Sequence, residues 1–133
     1  MERPSKTLVI GSESFLGKGF FQAYQQFYPD ILGTHYKSAD PRKKIDLIAP
    51  DLSLLQLKKG EYTHAVIPAS ITDLVYCEQQ SALAYRTNVE GIIKLVRALI
   101  EIEIQPILFS TAYVFDGIQG GYEGVDLISC IHL

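Results

Sequence analysis

What most constrains this chain is an alternation of short β-like apolar runs with longer stretches of helical periodicity, punctuated by glycine and proline. Thr7 to Ile10 reads as a short buried strand that stops at Gly11. Leu16, Phe20, Tyr24 and Phe27 then recur at helical spacing, and Pro29 ends that helix. Ile31 to Tyr36 reads as a second strand, followed by a polar loop. A short helix is expected over Ser53 to Lys58, capped by Asp51 or Ser53. Ala65 to Ala69 gives a third strand, which Pro68 places near the sheet margin. Ala82, Tyr85, Val89, Ile92, Val96 and Leu99 form one apolar stripe of a long helix, with Arg86, Glu90, Lys94 and Arg97 on its wet face. Pro106 introduces a fourth strand, Ile107 to Ser110. Strands separated by helices pair in parallel, because each crossover must carry a helix back over the sheet. The expected fold class is therefore α/β, a doubly wound parallel sheet whose ligands bind beyond the C-terminal strand ends.

Bulk properties narrow the function. A chain of 133 residues fits one domain, taken as residues 1–133. Its formal charge of −3 gives no general attraction to nucleic acid or acidic membranes, so neither is expected as a partner. Arg42-Lys43-Lys44 reads as a solvated loop. Cys77 and Cys130 have no Cys-x-x-Cys spacing, which fits a reducing cytosol and packing roles. His35, His64 and His132 are scattered, so no metal site is expected. No apolar run approaches membrane-spanning length, and the run before Gly11 is too short for a signal peptide core, so a cytoplasmic location is expected.

The segment Gly11-Ser12-Glu13-Ser14-Phe15-Leu16-Gly17 joins the first strand to the first helix. A dinucleotide's pyrophosphate would sit there, on the free N–H groups and positive dipole end of the helix. Gly11 can make the turn off the strand, and Gly17 can let the helix pack closely. A plain strand-to-helix turn with two glycines is the alternative reading. Ser14 occupies the middle glycine position, where its Cβ costs room and its hydroxyl could bond a phosphate oxygen. Gly11, Ser14, Phe15, Leu16 and Gly17 are the candidate cofactor-binding residues of this loop. The second strand ends in Thr34-His35-Tyr36-Lys37, without the acidic residue that NAD sites use for the ribose hydroxyls. His35, Lys37 and Arg42 could instead accept a 2′-phosphate, which favours NADP with NAD still possible.

The loop resembles the Gly-x-x-Gly-x-x-Gly of extended short-chain dehydrogenases/reductases of Rossmann type, with Ser14 as a departure. Pro68-Ala69-Ser70-Ile71-Thr72 is similar to the Ala-Ala-x-Thr segment of dTDP-4-dehydrorhamnose reductases, and Asn88-Val89-Glu90-Gly91 to the Asn-Val-x-Gly of the same group. Gly91 inside a helix costs about 1 kcal/mol relative to alanine, which points to a close packing demand. Ser110-Thr111-Ala112-Tyr113-Val114-Phe115-Asp116-Gly117 resembles the family's Ser-Thr-Asp-Tyr-Val-Phe-Asp-Gly and is the most specific piece. The likeness covers roughly residues 6 to 126, well matched over 6–117, with a divergent tail over 118–133. It implies that Ala69, Ser70 and Thr72 line the nicotinamide side of the cofactor groove. It also implies that Asp46 and Leu47 lie beside the adenine, that Asn88 belongs to the cofactor-binding set, and that Thr111 hydrogen-bonds the substrate carbonyl.

The family reduces a 4-keto sugar nucleotide, with a tyrosine delivering the proton and a lysine four residues later lowering its pKa. None of the eight tyrosines here is followed at that spacing by lysine, and Ala112 stands in place of aspartate. Proton delivery by the family route is therefore not expected from this chain alone. The chain is expected to represent the N-terminal part of such a fold, truncated, with the substrate domain absent. Its fourth strand would then be an open edge, calling for self-association or a completing protein partner. The apolar residues Leu127, Ile128, Ile131 and Leu133 could fold back as a partial cap. Three functions compete: a reductase-family domain that keeps nucleotide cofactor and sugar-nucleotide recognition; a non-catalytic regulatory or binding protein, as the similar regulatory subunit of methionine adenosyltransferase illustrates; and a relic without ligand.

Overall fold

In the computed structural model, which describes residues 6–124, the strands β1 (Lys6–Ile10), β2 (Leu32–Thr34), β3 (Tyr62–Ile67) and β4 (Gln105–Leu108) form one sheet in the order β2-β1-β3-β4. All three pairings are parallel, as the alternation of elements requires. Leu8 lies opposite Leu32 on one side and Ala65 on the other, so β1 is the strand around which the sheet is laid. Thr7 to Ile10 are all buried, which explains why β1 reads as an unbroken apolar run rather than an alternating one. Leu8 and Ile10 share a face with Ala65 and Ile67 and join Leu95 and Leu99 in the main core. Val9 and Val66 fill the opposite face, where helix α1 (Phe15–Phe27) lies against β1.

The chain leaves β1 for β2 on one side and returns to β3 on the other. Between the C-terminal ends of β1 and β3 the winding direction reverses, and parallel sheets open their ligand crevice at such a point. At the opposite end, Lys6 Nζ lies 3.0 Å from Glu61 Oε1 and 3.6 Å from Asp30 Oδ2, tying the start of β1 to the approach to β3. The hydrogen bond holds the Glu61 carboxyl below, and the Lys6 ammonium above, their ordinary pKa values.

Several boundaries differ from those expected. β2 stops at Thr34 rather than Tyr36, because its neighbour turns away at Gly11 and the next amide, of His35, bonds Lys43 O at 2.8 Å instead. β3 starts three residues earlier than expected, at Tyr62. β4 is shifted towards the N-terminus and contains Pro106, which an edge strand tolerates because one side has no ladder to break. The helix expected at Ser53 is a 3₁₀ turn, Leu52–Leu55, and Asp51 rather than Ser53 caps it, accepting from Ser53 N at 2.9 Å. The basic cluster is exposed as expected, its first two residues in a turn over Pro41–Lys43.

The long helix shows the largest correction. It is preceded by α2 (Leu74–Gln79), capped by Asp73, and it is built of α3 (Ser81–Tyr85), a π-helical turn (Arg86–Gly91) and α4 (Ile92–Glu101). Its buried positions are Ala84, Thr87, Gly91, Leu95 and Leu99, whereas Ala82 and Tyr85 of the expected stripe face solvent, Tyr85 at 58% exposure. The π turn breaks the 3.6-residue phase, so one stripe cannot run the whole length. The small residues of the buried face reflect a close approach. A Cβ on Gly91 would lie 1.7 Å from Leu47 O.

Among the described residues β4 pairs with β3 alone, and Ile107, Leu108 and Phe109 beside that open edge are 39–51% exposed. No helix among the described residues is long and apolar enough to cross a membrane. Cys77 is half-buried, its Sγ 3.6 Å from Ile71 O. Cys130, His132 and the apolar residues Leu127, Ile128, Ile131 and Leu133 lie outside the described residues.

Because Gly91 abuts backbone rather than a pliable side chain, Gly91→Ala should destabilise the fold by about 2–3 kcal/mol despite alanine's better helix propensity. Urea unfolding followed by circular dichroism measures this, and Gly19→Ala, which meets no atom within 4 Å, is the control and should be neutral or stabilising.

Candidate functional site

A cleft of about 500 Å³ opens over the C-terminal ends of β1, β2 and β3. Gly11, Ser14, His35, Asp46, Ala69 and Ser70, from four separate segments, all line it.

Its centre is the turn after β1. Gly11 takes φ +92°, and a Cβ there would stand 2.7 Å from the Cβ of Ala69, so only glycine lets the β1 and β3 loops meet. A Cβ on Gly17 would fall 1.9 Å from Gly11 O, which binds the first turn of α1 against the strand end. Ser14 is the N-cap of α1: its Oγ donates to Gly11 O at 2.8 Å and accepts from Gly17 N at 3.1 Å. The hydroxyl proton thus bonds the loop itself, to Gly11 O. Phe15 and Leu16 do not line the cleft with their side chains, and Phe15 is 94% exposed. Their N–H groups, at the first two helical positions, have no partner within the helix.

At the end of β2, Thr34 O accepts from Gly11 N (2.9 Å), Ser12 N (2.8 Å) and Ser12 Oγ (3.2 Å). The Thr34 hydroxyl is buried without a hydrogen-bond partner, at the cleft wall. His35, Tyr36 and Lys37 follow along the rim, and Lys44 Nζ lies 6.0 Å from the centre of the Tyr36 ring. Arg42 is not part of the cleft lining. Its guanidinium makes two contacts of 3.2 Å with the Asp40 carboxylate, which is held below the usual range by that pairing. Asp46 and Leu47 form the adjoining wall, with Asp46 Oδ1 accepting from Ile48 N at 2.9 Å.

On the far side Ala69 and Ser70 line the cleft while Thr72 does not. Asn88 is also set back. Its Nδ2 donates to Ile71 O and its Oδ1 accepts from Ile71 N, each at 2.8 Å. Ile71, Tyr76, Leu83 and Thr87 complete this wall and were not foreseen; Thr87, immediately before the Asn-Val-x-Gly match, carried the nearest available signal.

Thr111 stands apart from the cleft, beyond β4. It caps a short turn (Ala112–Val114), its Oγ1 accepting from Tyr113 N at 3.2 Å. The turn at Asp116-Gly117 is present, with Gly117 at φ +75°. The Tyr122 hydroxyl donates to Asp116 Oδ1, which lowers the Asp116 pKa, and the Tyr122 ring stacks on Phe115 at 4.4 Å. A helix N-terminus beside a cleft of this form suits an anion, and its apolar walls with a few polar groups suit a planar, partly polar ligand.

A sequence model of the RmlD substrate binding domain matches residues 5–130. A hypothetical dTDP-4-dehydrorhamnose reductase from Sulfolobus tokodaii superposes with a TM-score of 0.74 at 27% identity, over 95% of this chain and 46% of that one. The dTDP-4-dehydrorhamnose reductase of Bacillus anthracis, solved in complex with NADP, gives 0.70 at 20% identity, over 90% and 41%. MoeE5, solved with UDP-glucose and NAD, gives 0.74 at 15% identity, over 95% and 43%. At these identities the last two show a shared α/β Rossmann-type fold. The chain spans less than half the length of each structure. No curated protein sequence matches it.

The capping geometry makes Ser14 a structural residue before any ligand arrives. Ser14→Ala should lower stability by about 1 kcal/mol and Ser14→Gly by only a few tenths, read from urea midpoints of the ligand-free protein.

Proposed function

The chain belongs to the RmlD substrate binding domain family, and from that premise we propose that it is the NADP(H)-binding domain of a sugar-nucleotide 4-keto reductase of the dTDP-4-dehydrorhamnose reductase kind. The observation that carries the reading is the cleft itself, set at the reversal of winding between β1 and β3 with the N-terminus of α1 at its centre. The residues present fit a dinucleotide. Gly11 and Gly17 leave no room for side chains where the diphosphate would lie against backbone, and the N–H groups of Phe15 and Leu16 are free to meet it. The unpartnered Thr34 hydroxyl and the rim residues His35 and Lys37 stand at the adenosine end, with Asp46 and Leu47 beside the base. Ala69, Ser70 and Thr72 border the nicotinamide half, and Asn88 serves it through Ile71.

Lys37 and the absence of an acid in Thr34-His35-Tyr36-Lys37 favour NADP over NAD. When bound, the nicotinamide supplies a hydride for reduction of a carbonyl. Thr111 would hydrogen-bond that carbonyl oxygen, from a loop one strand away from the cleft. Delivery of the proton needs a tyrosine–lysine pair that these 133 residues do not contain, so turnover requires groups beyond them. A second reading, a non-catalytic binding protein of the same fold, is favoured by Ala112 in place of the aspartate and by the inward-bonded Ser14. In either case the protein works in the cytoplasm, and the β4 edge, which pairs with β3 alone among the described residues, seats a second copy of the chain or a completing protein.

Calorimetric titration with NADPH should give micromolar binding that is stronger than NADH binding. Gly17→Trp should abolish it, and Lys37→Glu, on the exposed rim, should weaken NADPH more than NADH. A folded protein that gives no heat with either nucleotide overturns the reading. Light scattering on a sizing column should report a species larger than one chain, and Leu108→Lys should shift it towards the monomer; a wild-type monomer at all concentrations rejects self-association.

A further inference from the structure

We infer that Tyr36 and Tyr76 form the two sides of a slot that grips the planar base of the ligand by stacking. The inference rests on the nucleotide-binding reading above and names two further residues that touch the base. β2 and β3 lie on opposite flanks of β1, which sets them about 10 Å apart. Tyr36 follows the end of β2, and Tyr76 stands in the first turn of α2, after β3. Both line the cleft, so the two tyrosines enter it from opposite sides. A flat ring held between two others needs two contact gaps of about 3.5 Å, which that separation accommodates.

Tyr36 is 60% and Tyr76 41% exposed, and neither stacks on another aromatic ring among the described residues. Lys44 Nζ, 6.0 Å from the centre of the Tyr36 ring, is not part of the cleft lining, so it engages that ring from outside and leaves the cleft side open. Tyr76 is fixed at its backbone: its N–H donates to the Asp73 carboxylate at 2.9 Å and its C=O accepts from Gln80 N at 2.8 Å. Ile48, Ile71 and Leu83 supply apolar lining to the same cleft, which suits the faces of a heteroaromatic ring. A tyrosine offers a broad apolar face while only two side-chain angles need to be fixed. A base stacked on it removes that face from water and adds the aromatic contact itself.

The test measures the affinity of the full chain for NADPH and for 2′,5′-ADP, which carries only the adenosine end. The variants are Tyr36→Ala, Tyr76→Ala, Tyr36→Phe and Tyr76→Phe. Tyr85→Ala is the control, since Tyr85 is 58% exposed but does not line the cleft. Tyr36→Ala and Tyr76→Ala should each weaken both ligands about tenfold, and by the same factor for the two. The two phenylalanine variants, which keep the ring, and Tyr85→Ala should bind as the wild type does. Wild-type affinity in Tyr36→Ala or Tyr76→Ala, a phenylalanine variant as weak as its alanine counterpart, or a loss confined to NADPH overturns the slot while leaving the nucleotide-binding reading intact. A wild type that binds neither ligand overturns that reading and this inference with it.

Discussion

Three hydrogen bonds converge on the carbonyl oxygen of Thr34, from the amides of Gly11 and Ser12 and from the Ser12 hydroxyl. Around that atom β1 stops, β2 stops, and the loop that opens the cleft begins. The arrangement requires Gly11 to turn at a positive φ, and that turn carries the chain past Ala69 with no space to spare. The stop of α1 against Gly11 O through Gly17, the capping by Ser14 and the meeting of the β1 and β3 loops all follow from this one junction. A buried carbonyl that satisfies three donors is a demanding constraint, because losing the geometry would leave several polar groups without water or partner.

The sheet was legible in the sequence because β1 and β3 are covered on both faces, which writes continuous apolar runs such as Thr7 to Ile10 and Ala65 to Ile67. The ends of the strands were read less accurately than their existence, β3 itself starting three residues early. β2 ends where a distant glycine turns, and β4 begins before Pro106, where local composition argues against a strand. The long helix misled in a different way. Tyr85 and Val89 fit an ideal apolar stripe, yet the buried face uses Ala84, Thr87 and Gly91, since contact with the Leu47 carbonyl selects for small side chains rather than greasy ones.

Within the site, glycine spacing located the loop because it reports a backbone requirement that sequence carries directly. Asn88 was singled out by its motif, but its partner was not legible, since that partner is a backbone segment 17 positions away and nothing in a motif names a side chain's partner. Arg42 illustrates the converse. Its charge suggested a phosphate ligand, but Asp40, two residues before it, claims the guanidinium. Ser14 likewise satisfies itself within the loop. For Arg42 and Ser14 the partner is a near neighbour in sequence, unlike that of Asn88.

The strand order also dictates a timetable. β1 is made first but occupies an interior place in the sheet, with β2 on one side and β3 on the other. As the chain emerges from a ribosome, β2 arrives soon after, whereas β3 follows only after a long, largely polar stretch of loop and short turns. For roughly several seconds at ordinary rates of synthesis, the most apolar strand of the protein has one flank open. Parallel pairing over such distances is slow to form and leaves sticky edges in the interval. Helix α1, which lies between β1 and β2 in sequence and packs on β1 directly, can shield one face of the nascent strand throughout that wait. The element at the heart of the cleft is thereby also the first chaperone of its own sheet.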